Sequence, residues 1–180
     1  EAETLRDRML AASGQLDRKL FGTPLAIKEN DAGQVVVDGG QKRRSLYIRM
    51  RRSQPVGMLQ TFDAPVMETN CQRRSSSTVA TQSLMLMNSD FVVQYSQRLA
   101  ERVEADAGPD RRSQVIRAWQ LAYGVEPAAE LVGELTAFVE RQAVAFGKVK
   151  EKDDAATPGK FAMASLCQAL ISANRFLYID

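Results

Sequence analysis

Phe91, Tyr95, Leu99 and Val103 stand four residues apart, and Gly108-Pro109 follows close behind. An α-helix turns once every 3.6 residues, so this spacing lines large apolar side chains along one stripe that has to be covered. Glycine followed by proline then stops the helix, because proline cannot continue the backbone hydrogen bonds. The same grammar recurs down the second half of the chain. Asp110 is placed to cap a helix with Val115, Ile116, Trp119 and Tyr123 inward, and Gly124 stands where a left-handed C-cap belongs. Pro127 suits the first position of a helix that carries Leu131, Leu135, Phe138, Val139, Gln142 and Phe146 on one face. Thr157 and Pro158 open a last helix with Met163, Leu166, Cys167, Leu170 and Ile171 inward. Short connections predict that neighbouring helices pack as antiparallel pairs.

The first half is less regular. Leu5, Met9, Ala12, Leu16 and Leu20 predict a helix over residues 4–20, ended by Gly22 and Pro24. Gln34 to Val37 is a β-branched run, and Asp38-Gly39-Gly40 is a turn signal. Leu46, Ile48 and Met50 then alternate with Tyr47, Arg49 and Arg51, the period of a half-buried strand. The two runs predict a small β-hairpin near residues 34–51. Residues 52–79 read as an extended, ordered segment with one helical turn near Met58, Leu59 and Phe62. Ala80 to Met87 is a short helix candidate, with Asn88 or Ser89 capping the next helix. Residues 147–158 read as an exposed charged loop, and Phe176 to Ile179 as an extended apolar tail packed on the body. The expectation is a mainly α fold of about six helices and one hairpin, in a single domain over residues 1–180. The start at Glu1, without Met or a signal pattern, reads as the C-terminal part of a longer chain. No run of about 18 apolar residues occurs, so no membrane span is expected.

Composition narrows the chemistry. There is no His, which excludes Ser-His-Asp and Cys-His triads and His-bound zinc or haem within the chain. Two Cys cannot make a four-thiolate metal site, so no cofactor is expected within the chain. Charge is uneven. Lys42, Arg43, Arg44, Arg49, Arg51, Arg52, Arg73 and Arg74 are opposed over residues 42–74 only by Asp63 and Glu68, a local net charge of +6 in a chain of net +2. Arginine favours planar anions, so the segment suggests an acidic glycan, haem propionates, an acidic protein face or nucleic acid. Nucleic acid is disfavoured, because the chain is near neutral and only Tyr47 interleaves the basic run as a stacking platform. The bland reading, that these arginines pair with carboxylates elsewhere in the fold, carries more weight for any one of them.

Cys71 beside Arg73 and Arg74 could have a lowered pKa, but no His can serve as its base. A buried thiol and a Cys71–Cys167 disulfide both stay open. Glu101 with Glu104, and Glu130 with Glu134, have the spacing of solvated helix faces. Asp63 is the better carboxylate candidate, with a turn or an ion pair as its ordinary role.

Several of these runs are shared with a known family. Arg43-Arg44-Ser45-Leu46-Tyr47-Ile48, Leu59-Gln60-Thr61-Phe62-Asp63-Ala64-Pro65 and Cys71-Gln72-Arg73-Arg74-Ser75 resemble a planctomycete-specific domain of unknown function, number 1553 of its series. Thr78 to Leu84, Met87 to Val92, and the ending Asn174 to Asp180 extend the resemblance along the chain. Gln72 stands where the family has Gly, and Arg175 where it has Glu, so a family salt bridge is expected to be missing at 175. The resemblance implies an exported, extracytoplasmic protein, often with a cytochrome-c-like module upstream, and export favours the disulfide. It implies no catalytic residues. The favoured reading is a non-catalytic accessory domain that binds or positions an anionic ligand or partner module. Its partners would be upstream domains of the same polypeptide, an anionic glycan or an acidic protein surface. Its ligand-binding candidates are Arg43, Arg44, Arg49, Asp63, Arg73 and Arg74. The rivals are an enzyme acting on acidic or sulfated carbohydrate through Asp63, Arg73 and Arg74, and a support domain for electron transfer.

Overall fold

The stripe that begins at Leu5 is helical only as far as Ala12 in the computed structural model, which describes residues 1–40, 42–65, 74, 77–149 and 158–178. This helix, α1 (Ala2–Ala12), ends because Gly14 turns left-handed at φ 71°. The Gln15 and Leu16 amides then donate back to the Leu10 carbonyl at 2.7 and 3.0 Å and close the last turn. The helix expected to reach residue 20 is therefore about two turns shorter. Leu20, 59% exposed, does not join its stripe.

The described residues hold one small antiparallel hairpin, but its partner strand lies upstream of the expected one. Strand β1 (Ile27–Glu29) pairs with β2 (Val35–Val37) in the register Ile27 to Val37 and Glu29 to Val35. The cause is Asn30. Its side-chain oxygen accepts from the Ala32 and Gln34 amides at 3.2 and 2.8 Å, an Asx turn that brings the chain straight back. Residues 46–50, expected to be the second strand, instead begin as a 3₁₀ turn (Ser45–Tyr47) and touch the chain near Leu25 through a single parallel bridge.

Helix α2 (Gly57–Thr61) is the expected turn near Met58. It is followed by α3 (Ala80–Asn88) and α4 (Asp90–Ala107). Ser89 holds the N-cap position of α4, although its side chain makes no cap bond. Helix α5 (Arg111–Tyr123) has both expected ends: Asp110 accepts from the Ser113 amide, and Gly124 is left-handed at φ 73°. Helix α6 (Ala129–Val149) starts two residues after Pro127 and runs into the segment expected to be a loop. Residues 150–157 of that loop lie outside the described residues. Helix α7 (Pro158–Ser172) opens on proline as expected, and a final turn, α8 (Asn174–Leu177), stands where an extended tail was expected. Phe176 in that turn is buried at 1% exposure, so the apolar end is covered as expected, in helical form.

The chain forms two compact units, Glu1–Ala11 with Gln15–Leu86, and Ala12–Gly14 with Met87–Asp180. The first is built around Ala2, Leu25, Ile48, Val56 and Leu59. In the second, α7 packs against α4 and α6, and α5 against α4 and α6. Val103, Val115, Val139, Leu166 and Ile171 are at most 1% exposed there. Arg175 stands 5.3 Å from the ring centres of both Trp119 and Tyr123. The two rings offer the Arg175 cation a cation–π contact each. No helix among the described residues is long and apolar enough to cross a membrane.

Candidate functional site

The Arg43-Arg44-Ser45 run is fastened to α1 by a buried polar knot. Arg6, 2% exposed, donates to the Arg43 carbonyl and to Ser45 Oγ at 3.0 and 3.2 Å. Asp7 Oδ1 accepts from the Ser45 amide and hydroxyl, each at 2.7 Å. A buried cation needs such partners, because leaving either side unpaired costs more than the pair gains. Arg44 reaches Asp7 Oδ2 at 3.7 Å with a half-exposed side chain.

Arg43 turns the other way. Its guanidinium donates to the carbonyls of Lys19, Phe21 and Thr23 and stacks 3.9 Å from the Tyr47 ring centre. The Tyr47 hydroxyl in turn accepts from the Phe21 amide at 3.0 Å. The result is a tight loop over residues 19–23. In it Phe21 adopts φ 59°, a region that bulky residues avoid, and stays 80% exposed. Beyond the loop the two segments run side by side: the Leu25 amide donates to the Tyr47 carbonyl, and the Arg49 amide to the Leu25 carbonyl. These segments and their continuation carry exposed Leu20, Phe21, Leu46 and Met50 together with exposed Arg49, Arg51 and Arg52.

Asp63 is committed elsewhere. Both its oxygens accept from Ser77, at 2.6 Å from the amide and 2.8 to 2.9 Å from the hydroxyl. Gln82, buried in α3, donates to the carbonyls of Thr61 and Ser77 at 3.1 and 3.2 Å. This clamp ties Thr61 and Asp63 to Ser77 and α3. Arg74 pairs with Glu3 at 2.7 Å and reaches Glu1 at 3.8 Å. Burial pushes the Glu3 carboxyl up, but the Arg74 hydrogen bond, a backbone hydrogen bond and nearby positive charge outweigh it and hold Glu3 below the ordinary value.

Arg44 and Arg74 therefore both meet acidic side chains of α1, Asp63 is held by Ser77, and only Arg49 of the described candidates stands exposed with no such tie. Arg73 and Cys71 lie outside the described residues. Cys167 is a buried free thiol, pushed up to about 12 by burial. None of the described ligand-binding candidates lines the cavity among α4, α5 and α7, although Glu101 and Glu104 do. Sequence reasoning missed Phe21. Its only signal was a large apolar residue directly before Gly22-Thr23-Pro24, outside any stripe.

The family model for PSD1, described as a protein of unknown function (DUF1553), matches residues 1–139. The Arg43-Arg44-Ser45 and Asp63 runs lie inside that span, and the ending Asn174 to Asp180 lies beyond it. No curated protein and no solved structure matches the chain.

Proposed function

The chain belongs to the DUF1553 family, and from that premise we propose that it is a non-catalytic accessory domain that docks the acidic face of a companion module. What carries the reading is Phe21: a strained, 80% exposed aromatic held in place by Arg43 and Tyr47. Strain at a bulky residue persists only where surrounding bonds overrule it, and it tends to gather at functional positions. Residues 1–86 carry net +4, so an acidic partner is electrostatically matched to the surface that offers Arg49, Arg51 and Arg52. The apolar side chains beside them favour a protein face over a glycan, which offers little for leucine and methionine to cover. The companion would be an upstream module of the same exported polypeptide, of the cytochrome-c-like kind that the resemblance implies. The ties on Asp63 and Arg74 favour structural roles over the carbohydrate-enzyme reading.

The test uses immobilised probes at low and physiological salt: a peptide alternating Glu with Leu, heparin, and a neutral peptide of the same length. The acidic amphipathic peptide should be retained best. Replacing Phe21 by Ser, or Arg49, Arg51 and Arg52 together by Gln, should each weaken retention about tenfold. Heparin retained as well as the peptide, with no loss on replacing Phe21, would transfer the proposal to a glycan. No retention at low salt would end it.

A further inference from the structure

The second unit contains a cavity of about 420 Å³ among α4, the start of α5 and the start of α7. That volume falls in the range of small-molecule sites. Part of its wall is apolar, formed by Ala100, Phe161 and Met163. Phe161 is braced from behind by Phe146 of α6, ring centres 5.7 Å apart.

Its polar wall is more specific. Arg111 is held by Gln114, which is 5% exposed: Arg111 Nη1 donates to Gln114 Oε1 at 2.8 Å, and Gln114 Nε2 donates to the Gly108 carbonyl at 2.6 Å. The other guanidinium nitrogen lies against Gly159, 3.0 Å from where a Cβ would stand. A Cβ at 159 would force the guanidinium to give way by a few tenths of an ångström. The cavity's two carboxylates already have cations, Glu101 meeting Arg98 at 2.9 Å and Glu104 meeting Lys160 at 3.4 Å. Among the described residues no carboxylate stands within ion-pair distance of Arg111. An arginine fixed by a buried glutamine, given room by a glycine and without a counter-charge among the described residues is suited to receive a planar anion.

We propose that this cavity binds a small amphipathic carboxylate, its head on Arg111 and its apolar body along Ala100, Phe161 and Met163. The site is separate from the docking surface of the first unit, and either proposal can fail alone. The test is calorimetric titration of the 180-residue chain with octanoate, octan-1-ol and octylamine, with thermal melts to confirm folding. Octanoate should bind about tenfold more tightly than the alcohol, and the amine most weakly. Arg111→Gln should abolish the preference for octanoate over octan-1-ol. Gly159→Ala, which keeps the charge but displaces it, should weaken octanoate severalfold. Glu104→Gln, which removes a negative charge from the cavity wall and frees Lys160, should tighten octanoate binding. Equal binding of octanoate and octanol, a preference that survives Arg111→Gln, or no binding up to about 10 mM would each overturn the proposal. If Arg111→Gln fails to fold, the wild-type ligand series and Gly159→Ala decide it.

Discussion

At the scale of single residues, Arg43 shows how a cation that looks ready for a ligand can be taken up by its own fold. Its donors hold backbone carbonyls of residues 19–23, which are charge-assisted hydrogen bonds and stronger than neutral ones. Lysine has the charge but not the planar fork, so it cannot reach those carbonyls together. Arg43→Lys should therefore lower stability by about 1–3 kcal/mol and speed hydrogen exchange at the Phe21 amide, while Arg49→Lys should do neither. An unchanged Phe21 amide in Arg43→Lys would show that the loop holds without the fork. Cys167 makes a second case. Burial raises its thiol to about 12, above an unfolded value near 8.5. A raised acid binds its proton more tightly when folded, so its contribution is complete below pH 8.5 and is lost as pH climbs toward 12. The stability gap between wild type and Cys167→Ala should shrink across that window in denaturant melts at pH 8 and 10.5. Thiol-specific reagents should label Cys167 only after unfolding. A single thiol titrating at pH 8 in the native state, assigned to Cys167 by mass spectrometry, would contradict its burial.

At the scale of elements, helix ends are local events and hairpin partners are not. Gly124 is left-handed, and a Cβ built on it would meet nothing within 4 Å. The cost of Gly124→Ala is then purely conformational, about 1 kcal/mol, and Gly124→Asn should recover much of it, as thermal melts can show. At the other end of α5, protonating Asp110 should loosen the cap. Its hydrogen bonds from the Ser113 hydroxyl and amide hold its carboxyl below the ordinary 3.8, so the cap is complete above that pH and is lost as pH falls below it. These ends were legible because Asp110, Gly124 and Pro158 act on residues within one turn of themselves. The hairpin was half legible. Val35 to Val37 announces a strand, but three residues, Ile27–Glu29, carry too little pattern to be recognised as its partner. The Asn30 turn decides the pairing. The candidate site was the least legible part. Arg74 meets Glu3 across 71 positions and Arg6 meets Ser45 across 39, and no local spacing encodes such pairs. Residue type could say that these arginines seek carboxylates and carbonyls, but not which ones.

At the scale of the molecule, the uneven charge and the uneven core coincide. Residues 1–86 hold net +4 around a small apolar cluster, and residues 87–180 hold net −2 around the larger helical one. Buried polar ties do much of the work in the first unit, where Arg6, Ser45 and Gln82 are all at most 6% exposed. A unit with few buried apolar side chains should open more readily than one with many, since hydrophobic burial is the main favourable term and local opening follows its density. Leu59 and Leu166, 2% and 1% exposed, allow a matched comparison. Truncating either to Ala should cost about 3 kcal/mol. Native-state hydrogen exchange will show where that loss is felt. Leu59→Ala should speed exchange across α1, the hairpin and α2, and leave the amides of α4, α5 and α7 protected. Leu166→Ala should raise exchange in those helices first. If both variants accelerate every amide by the same factor, the two units open as one, and the first unit could not rearrange around a docked partner while the helical unit stays closed.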